Sequence, residues 1–105
     1  MGGSKLLNQK GKMMTTETAV ANLHRLADFC TEYDLDPLNF EVAACQVHVS
    51  KTDWPRLSKG QRVEIERCST WDHHTTTIDG VQVLALLRAE HPVSPIEVVE
   101  NYQPA

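Results

Sequence analysis

Five side chains between positions 19 and 33 set the strongest constraint on the fold. Ala19, Leu23, Leu26, Cys30 and Tyr33 recur at spacings of 4, 3, 4 and 3, one apolar stripe at the period of an α-helix. A helix that is apolar on one side only needs a second layer to lie on. The spacing predicts a helix over 16–33. Thr16 stands where it can cap the start, and Glu17 suits the positive end of the helix dipole. Asn22, Arg25, Asp28 and Glu32 form the face expected to meet water. Asp36-Pro37 closes the segment, because a residue before proline is pushed out of helical geometry.

The rest of the chain reads mainly as the sheet this helix requires. Residues 40–49 are strand-like, with Phe40, Val42 and Ala44 on one face and Val47 and Val49 on the other. That slip in phase calls for a bulge near Ala44 and Cys45, or for two short strands. Residues 52–60 suggest a short helix, with Thr52 as cap, Pro55 in the first turn and Gly60 as stop. Over 62–67, Val63 and Ile65 alternate with Arg62, Glu64 and Glu66, the pattern of a half-buried antiparallel strand. Asp79-Gly80 between two β-capable runs is a strong hairpin signal, and predicts strands at 73–78 and 81–87. A helix is the rival over 81–90, where Leu84-Ala-Leu-Leu-Arg-Ala-Glu90 suits it and Asp79 with Gln82 could make a capping box. Ser94-Pro95-Ile96-Glu97 is itself a capping box with proline at the first helical position. It predicts a short helix reaching Tyr102, with Ile96 and Val99 packed inward.

The expected fold is therefore α+β and two-layered. An N-terminal helix packs on a mostly antiparallel sheet of three to four strands, and a short C-terminal helix ends the chain. A length of 105 residues leaves room for one modest core. The expected organisation is a flexible basic leader over 1–14 and a single domain over 15–105. No stretch approaches the roughly 18 apolar residues of a membrane-crossing helix.

Charge narrows the functional classes. Lys5, Lys10 and Lys12 give residues 1–13 a charge of +3, with no acidic residue among them. The other 92 residues carry 7 basic and 14 acidic side chains, a balance of −7. An acidic body repels phosphate backbones, so neither a nucleic-acid nor a membrane partner is expected. The longest apolar run of the leader is Leu6-Leu7, far short of a secretory signal. Leu6 also stands where an N-myristoylation motif needs Ser or Thr. Cys30, Cys45 and Cys68 form no CxxC pair, which points to a reducing, cytoplasmic setting. Cys30 and Cys45 lie among apolar neighbours and read as small buried hydrophobes.

Trp71-Asp72-His73-His74 is the most conspicuous polar cluster. Two histidines and an acid beside Cys68 could serve metal binding or acid–base chemistry. On a strand, however, His73 and His74 point to opposite faces and cannot chelate one ion together. No HExxH, GxSxG or phosphate-cradling glycine loop accompanies them. A Cys68 thiolate paired with His73 or His74 would lack oxyanion donors. No cofactor, metal or catalytic residue is therefore expected. Trp54, beside Leu57, reads as a core anchor, whereas Trp71 sits among polar neighbours and suits a core or an interface equally. Trp71, Asp72, His73 and His74 are the expected partner-binding residues, with the outward charges of the 62–67 strand beside them.

Two resemblances add to this reading. Gln46-Val-His-Val-Ser-Lys-Thr, followed by Leu57-Ser-Lys-Gly-Gln-Arg-Val-Glu-Ile-Glu66, resembles the later half of a cold-shock domain. The aromatic, glycine-rich strand on which that family stacks bases has no counterpart here. Val20-Ala-Asn-Leu-His-Arg-Leu-Ala-Asp-Phe-Cys30, with the strand, short helix and hairpin that follow, is similar to small uncharacterised proteins of actinobacteria and their phages. That likeness implies a compact α+β fold and a mobile-element or phage accessory role, and brings no catalytic residues with it. If 80–90 were helical, residues 83–98 would resemble a helix-turn-helix, but its second helix would carry Glu97, Glu100 and Asn101 and no cation for phosphate. The expected function is that of a small non-enzymatic accessory domain that binds a protein partner, as a monomer or as a homodimer paired through an exposed edge strand. The alternatives are a nucleic-acid-binding accessory protein, using the basic leader and the 46–66 segment, and a metal-dependent or thiol enzyme.

Overall fold

A computed structural model describes residues 14–68, 70–88 and 96–104. The elements run α1 (Thr16–Glu32), β1 (Asn39–Glu41), β2 (Gln46–His48), α2 (Trp54–Ser58), β3 (Val63–Arg67), β4 (Trp71–Ile78), β5 (Val81–Arg88) and β6 (Ile96–Val99). The strands form one six-stranded sheet in the order β1-β2-β5-β4-β3-β6. The fold is α+β, as expected, but the sheet is larger than the three to four strands predicted and is mixed. β2 runs parallel to β5, while the other four neighbouring pairs are antiparallel.

α1 forms where the periodicity places it. Its cap is Thr15, not Thr16: the Thr15 side chain accepts a hydrogen bond from the Thr18 amide. Its end is set by a left-handed residue, Asp34 at φ 54°, before the proline is reached. The Leu35 amide bonds back to the Cys30 carbonyl at 2.9 Å and the Asp34 amide to Thr31 at 3.3 Å, the Schellman arrangement. The buried stripe is rotated from the predicted one. Leu26 and Phe29 are buried, Leu23 is 49% exposed, and Asn22 turns inward to donate to the Val42 carbonyl at 2.7 Å.

Residues 40–49 resolve into two short strands rather than one bulged strand. β1 and β2 pair with Phe40 opposite Val47, and Cys45 at φ 50° turns the chain between them. α2 has Asp53 at its N-cap without a side-chain bond, so Thr52 is not the cap. Gly60, at φ 78°, ends the turn that follows. Arg56 fastens α2 to the end of α1 by donating to the Tyr33 carbonyl at 2.6 Å and the Asp34 carbonyl at 2.9 Å.

Asp79 and Gly80 both hold positive φ, 52° and 80°, the requirement of a type I′ hairpin turn. The turn locks β4 and β5 in an eight-residue register from Ile78↔Val81 to Trp71↔Arg88. β5 is hydrogen-bonded on both sides, to β2 and to β4, so tertiary pairing overrides the helix propensity of 84–88. With β5 extended to Arg88, the helix-turn-helix reading is excluded. The predicted C-terminal helix is likewise replaced by a strand. Three of the four residues of β6 are β-branched, and they pair along β3, with Val63↔Val99 and Glu66↔Ile96. Ser94 and Pro95, the proposed cap, lie outside the described residues. Ile96 is 63% exposed rather than packed inward, while Val99 touches the core.

The pleat divides the sheet into two faces. Val47, Val63, Ile65, Val81, Val83 and Ala85 share one face and are buried with Leu26, Phe29, Trp54 and Leu57 of the helices. No described residue on the opposite face of the strands is buried, so both helices cover the same side. Cys30 and Cys45 are half-buried at the core margin, not fully buried.

Candidate functional site

β4 carries all four residues of the polar cluster and divides them between the faces. Asp72, His74 and Thr76 are buried on the helix side, while Trp71 and His73 lie on the open side. The structure therefore brings Asp72 together with His74, and Trp71 together with His73, but does not unite the four.

On the helix side, a cleft of about 400 Å³ lies between Trp54 and Pro55 of α2 and the end of the sheet that carries Arg67, Asp72 and Leu87. Asp72 is 2% exposed and faces Arg67 across the β3–β4 pair. The Arg67 Nη1 donates to Asp72 Oδ2, and its Nη2 donates to Glu97 Oε1 of β6 at 3.3 Å. The engagement is incomplete, because Asp72 Oδ1 and Arg67 Nε are both buried without a partner.

His74 is 7% exposed, opposite Ile65 on one side and Ala85 on the other. Burial lowers its pKa from 6.5 to about 4; the neighbouring Arg67 cation adds to the fall and Glu97 opposes it. The imidazole is thus neutral near neutral pH. It joins Trp54 and Tyr102 in a cluster of three mutually edge-on rings, with centroids 5.8 to 6.0 Å apart. Tyr102 is held there by its backbone: its amide bonds to the Gln61 carbonyl at 2.9 Å and its carbonyl accepts from the Gly60 amide at 2.7 Å. Lys51 and Arg88 border the same cleft and both are exposed, but Arg88 pairs with Trp71, so its side chain belongs to the open face.

The open face is different in character. Trp71 is 47% exposed and sits beside Arg88 of β5. His73 is flanked by Glu66 and Leu86, and Glu66 in turn by Ile96. The next row places Val98, Glu64, Thr75, Leu84 and His48 side by side across five strands. Ile96, Val98 and Trp71 are all exposed large hydrophobics.

Among the described residues no group of three or more His, Cys, Asp or Glu side chains is placed to hold a metal ion. The three cysteines are free and half-buried, and burial raises the Cys30 thiol pKa, which disfavours the thiolate. No described helix is long and apolar enough to cross a membrane.

Sequence reasoning missed Arg67, Tyr102, Lys51 and Arg88 as site residues, and took Trp54 only as a core anchor. One signal was available: Arg67 continues the inward phase of Val63 and Ile65, and a charge in a buried phase demands an opposite charge nearby. Tyr102 carried no such signal, because its place depends on the tail returning to Gln61. Compared with protein-family models, curated proteins and solved structures, the chain matches none.

Proposed function

We propose that this chain is a non-enzymatic binding domain that docks a protein partner on the open face of its sheet. The observation that carries this reading is the exposure of Trp71, Ile96 and Val98 on a face where no described residue is buried. Exposed apolar side chains grouped on one face favour association, and tryptophan is the side chain most often found to anchor an interface. His73 and the half-buried Leu84 and Leu86 extend the same surface.

Charge specifies the partner's chemistry. Glu66 lies between Ile96 and His73 and has no ion-pair partner among the described residues. A carboxylate covered by a partner needs a cation there. The matching surface is therefore apolar with a lysine or arginine at its centre.

Site-specific photocrosslinking in the native cell tests this. A photoreactive residue at position 98 should yield one adduct of defined mass, and one at the exposed Val20 of α1 should not. Trp71→Ala and Glu66→Lys should each abolish that adduct while leaving the unfolding curve unchanged. Equal adducts from both positions, or none from position 98, overturn the assignment. An adduct with the mass of two copies of this chain replaces the separate partner with self-association.

A further inference from the structure

The sheet ends in two outer strands, β1 and β6, and among the described residues no strand pairs with the far side of either. β1 is exposed throughout; Phe40 is 42% exposed, and Leu38 just before the strand 60%. Phe40 lies opposite the buried Val47, so its ring is on the helix side of the sheet, while Asn39 and Glu41 are on the open side. The backbone of β1 is directed by β2. The Gln82 amide bonds to the Cys45 carbonyl at 3.0 Å and the Val49 amide to the Leu84 carbonyl at 2.9 Å. Residues 45, 47 and 49 therefore serve β5, and Gln46 and His48 serve β1. Asn39 and Glu41, opposite them, turn their backbone groups inward, and the N–H and C=O of Phe40 point out from the edge. An apolar edge residue with unpaired backbone groups is a template for another strand.

The residues of β1 match a second copy of the same strand. In a two-fold antiparallel pair the residues directly opposite each other share a face. Centring that pair on Phe40 sets the two Phe40 residues opposite each other and joins their N–H and C=O groups in two reciprocal hydrogen bonds. It brings the two exposed rings together on the helix side, at a separation where aromatic side chains attract. It also sets Asn39 of each copy opposite Glu41 of the second copy, in non-hydrogen-bonded pairs, where side chains approach most closely. There the Asn39 amide can donate to the Glu41 carboxylate on the open side, a charge-assisted bond made twice. β6 offers no such match. Centred on Glu97 it would set two carboxylates face to face, and centred on Val98 it would set Ile96 against Glu100 and Glu97 against Val99.

We propose that the chain forms a two-fold dimer through β1, with Phe40 opposite Phe40 and Asn39 opposite Glu41, so that the sheets of the two copies become one. β1 and β6 lie at opposite ends of the sheet. The pairing therefore leaves the surface of Trp71, Ile96 and Val98 free, and each assignment stands or falls by itself.

Sedimentation equilibrium of the full chain decides the matter. The weight-average mass should climb from 11.8 kDa towards twice that value between about 10 µM and about 1 mM chain. Proline fits an edge position whose N–H faces outward, so Phe40→Pro should keep the native circular dichroism spectrum and sediment as a monomer throughout. Asn39→Glu tests the same edge through an exposed side chain. It sets carboxylates opposite each other and should raise the dissociation constant by about fivefold or more. Asn39→Glu with Glu41→Lys turns each of those pairs into opposite charges and should restore the native value or better it. Ile96→Asp, at the other edge, should dimerise as the native chain does. A mass that stays at 11.8 kDa over the whole range overturns the dimer. A Phe40→Pro chain that dimerises like the native one, or an Ile96→Asp chain that does not dimerise, overturns β1 as its site. Asn39→Glu as tight as the native chain, or a double variant no tighter than Asn39→Glu, overturns the register.

Discussion

The indole nitrogen of Trp54 donates to the hydroxyl of Tyr102 at 3.4 Å, so a residue of α2 and the segment that follows β6 form one wall of the cleft together. The bond is long, and the rings meet edge-on with centroids 5.8 Å apart. Tyr102→Phe removes the bond and keeps the ring, and should cost about 1 kcal/mol. Trp54→Ala, at a position 1% exposed, should cost about 3–5 kcal/mol. Urea unfolding of both variants checks the two values. An unchanged midpoint for Tyr102→Ala would mean that the tail is not fastened to the domain.

The Arg67–Asp72 pair should show the asymmetry of a buried ion pair. Asp72→Ala leaves a guanidinium, 20% exposed, with only the part-exposed Glu97 as partner and should destabilise the fold by about 3 kcal/mol. Replacing both, Arg67→Met with Asp72→Leu, should cost much less than the sum of the single changes. A double-mutant cycle measured by chemical denaturation tests this. Additive single and double values would show that the two groups act independently.

His74 should make stability depend on pH. Its folded pKa, about 4, lies below its ordinary 6.5, so between these values the unfolded chain binds the extra proton. Stability therefore rises with pH from about 4 to 6.5 and gains nothing more from this group above that window. The full effect is on the order of 2–3 kcal/mol. Unfolding free energies measured across that range should fall on acidification for the native chain, and His74→Leu should flatten part of that slope.

Two backbone positions should respond oppositely to glycine. Asp34 holds φ 54° at the end of α1, a conformation glycine adopts freely. Asp34→Gly should therefore stabilise the fold by up to about 1 kcal/mol. Gly80 holds φ 80° in the β4–β5 turn, and an added Cβ would stand 2.5 Å from the Arg25 Nη1. Arg25 can swing away, so the backbone penalty dominates, and Gly80→Ala should cost about 1–2 kcal/mol. Thermal unfolding distinguishes the two, and a stabilising Gly80→Ala would argue against the left-handed turn.

Much of the middle of the chain was legible because its signals are local. The hairpin at Asp79 and Gly80, the alternation of Val63 and Ile65, and the helix carried by Leu26 and its neighbours are each written within a few residues. The opposition of His73 and His74 follows from the pleat alone, but the sequence predicts the strand only over 73–78, and its start at Trp71 is what adds Trp71 and Asp72 to the two faces. The errors lie where distant partners decide. The propensities near Leu84 allowed a helix, and β2 and β4, on either side, made it a strand. A capping box promised a helix after Ser94, while the free edge of β3 offered β-branched Ile96, Val98 and Val99 a ladder instead.

The sequence by itself determined the α+β class, the opening helix, the central hairpin and the opposite facing of His73 and His74, because these depend on periodicity and turn chemistry over short spans. Only the tertiary structure decided the six-strand order, the rotation of α1 that buries Phe29 instead of Leu23, and the cleft where Lys51, Trp54, Arg67, His74 and Tyr102 converge. Those residues span more than fifty positions of the chain, and no local pattern encodes which distant side chains will share a space once the sheet has closed.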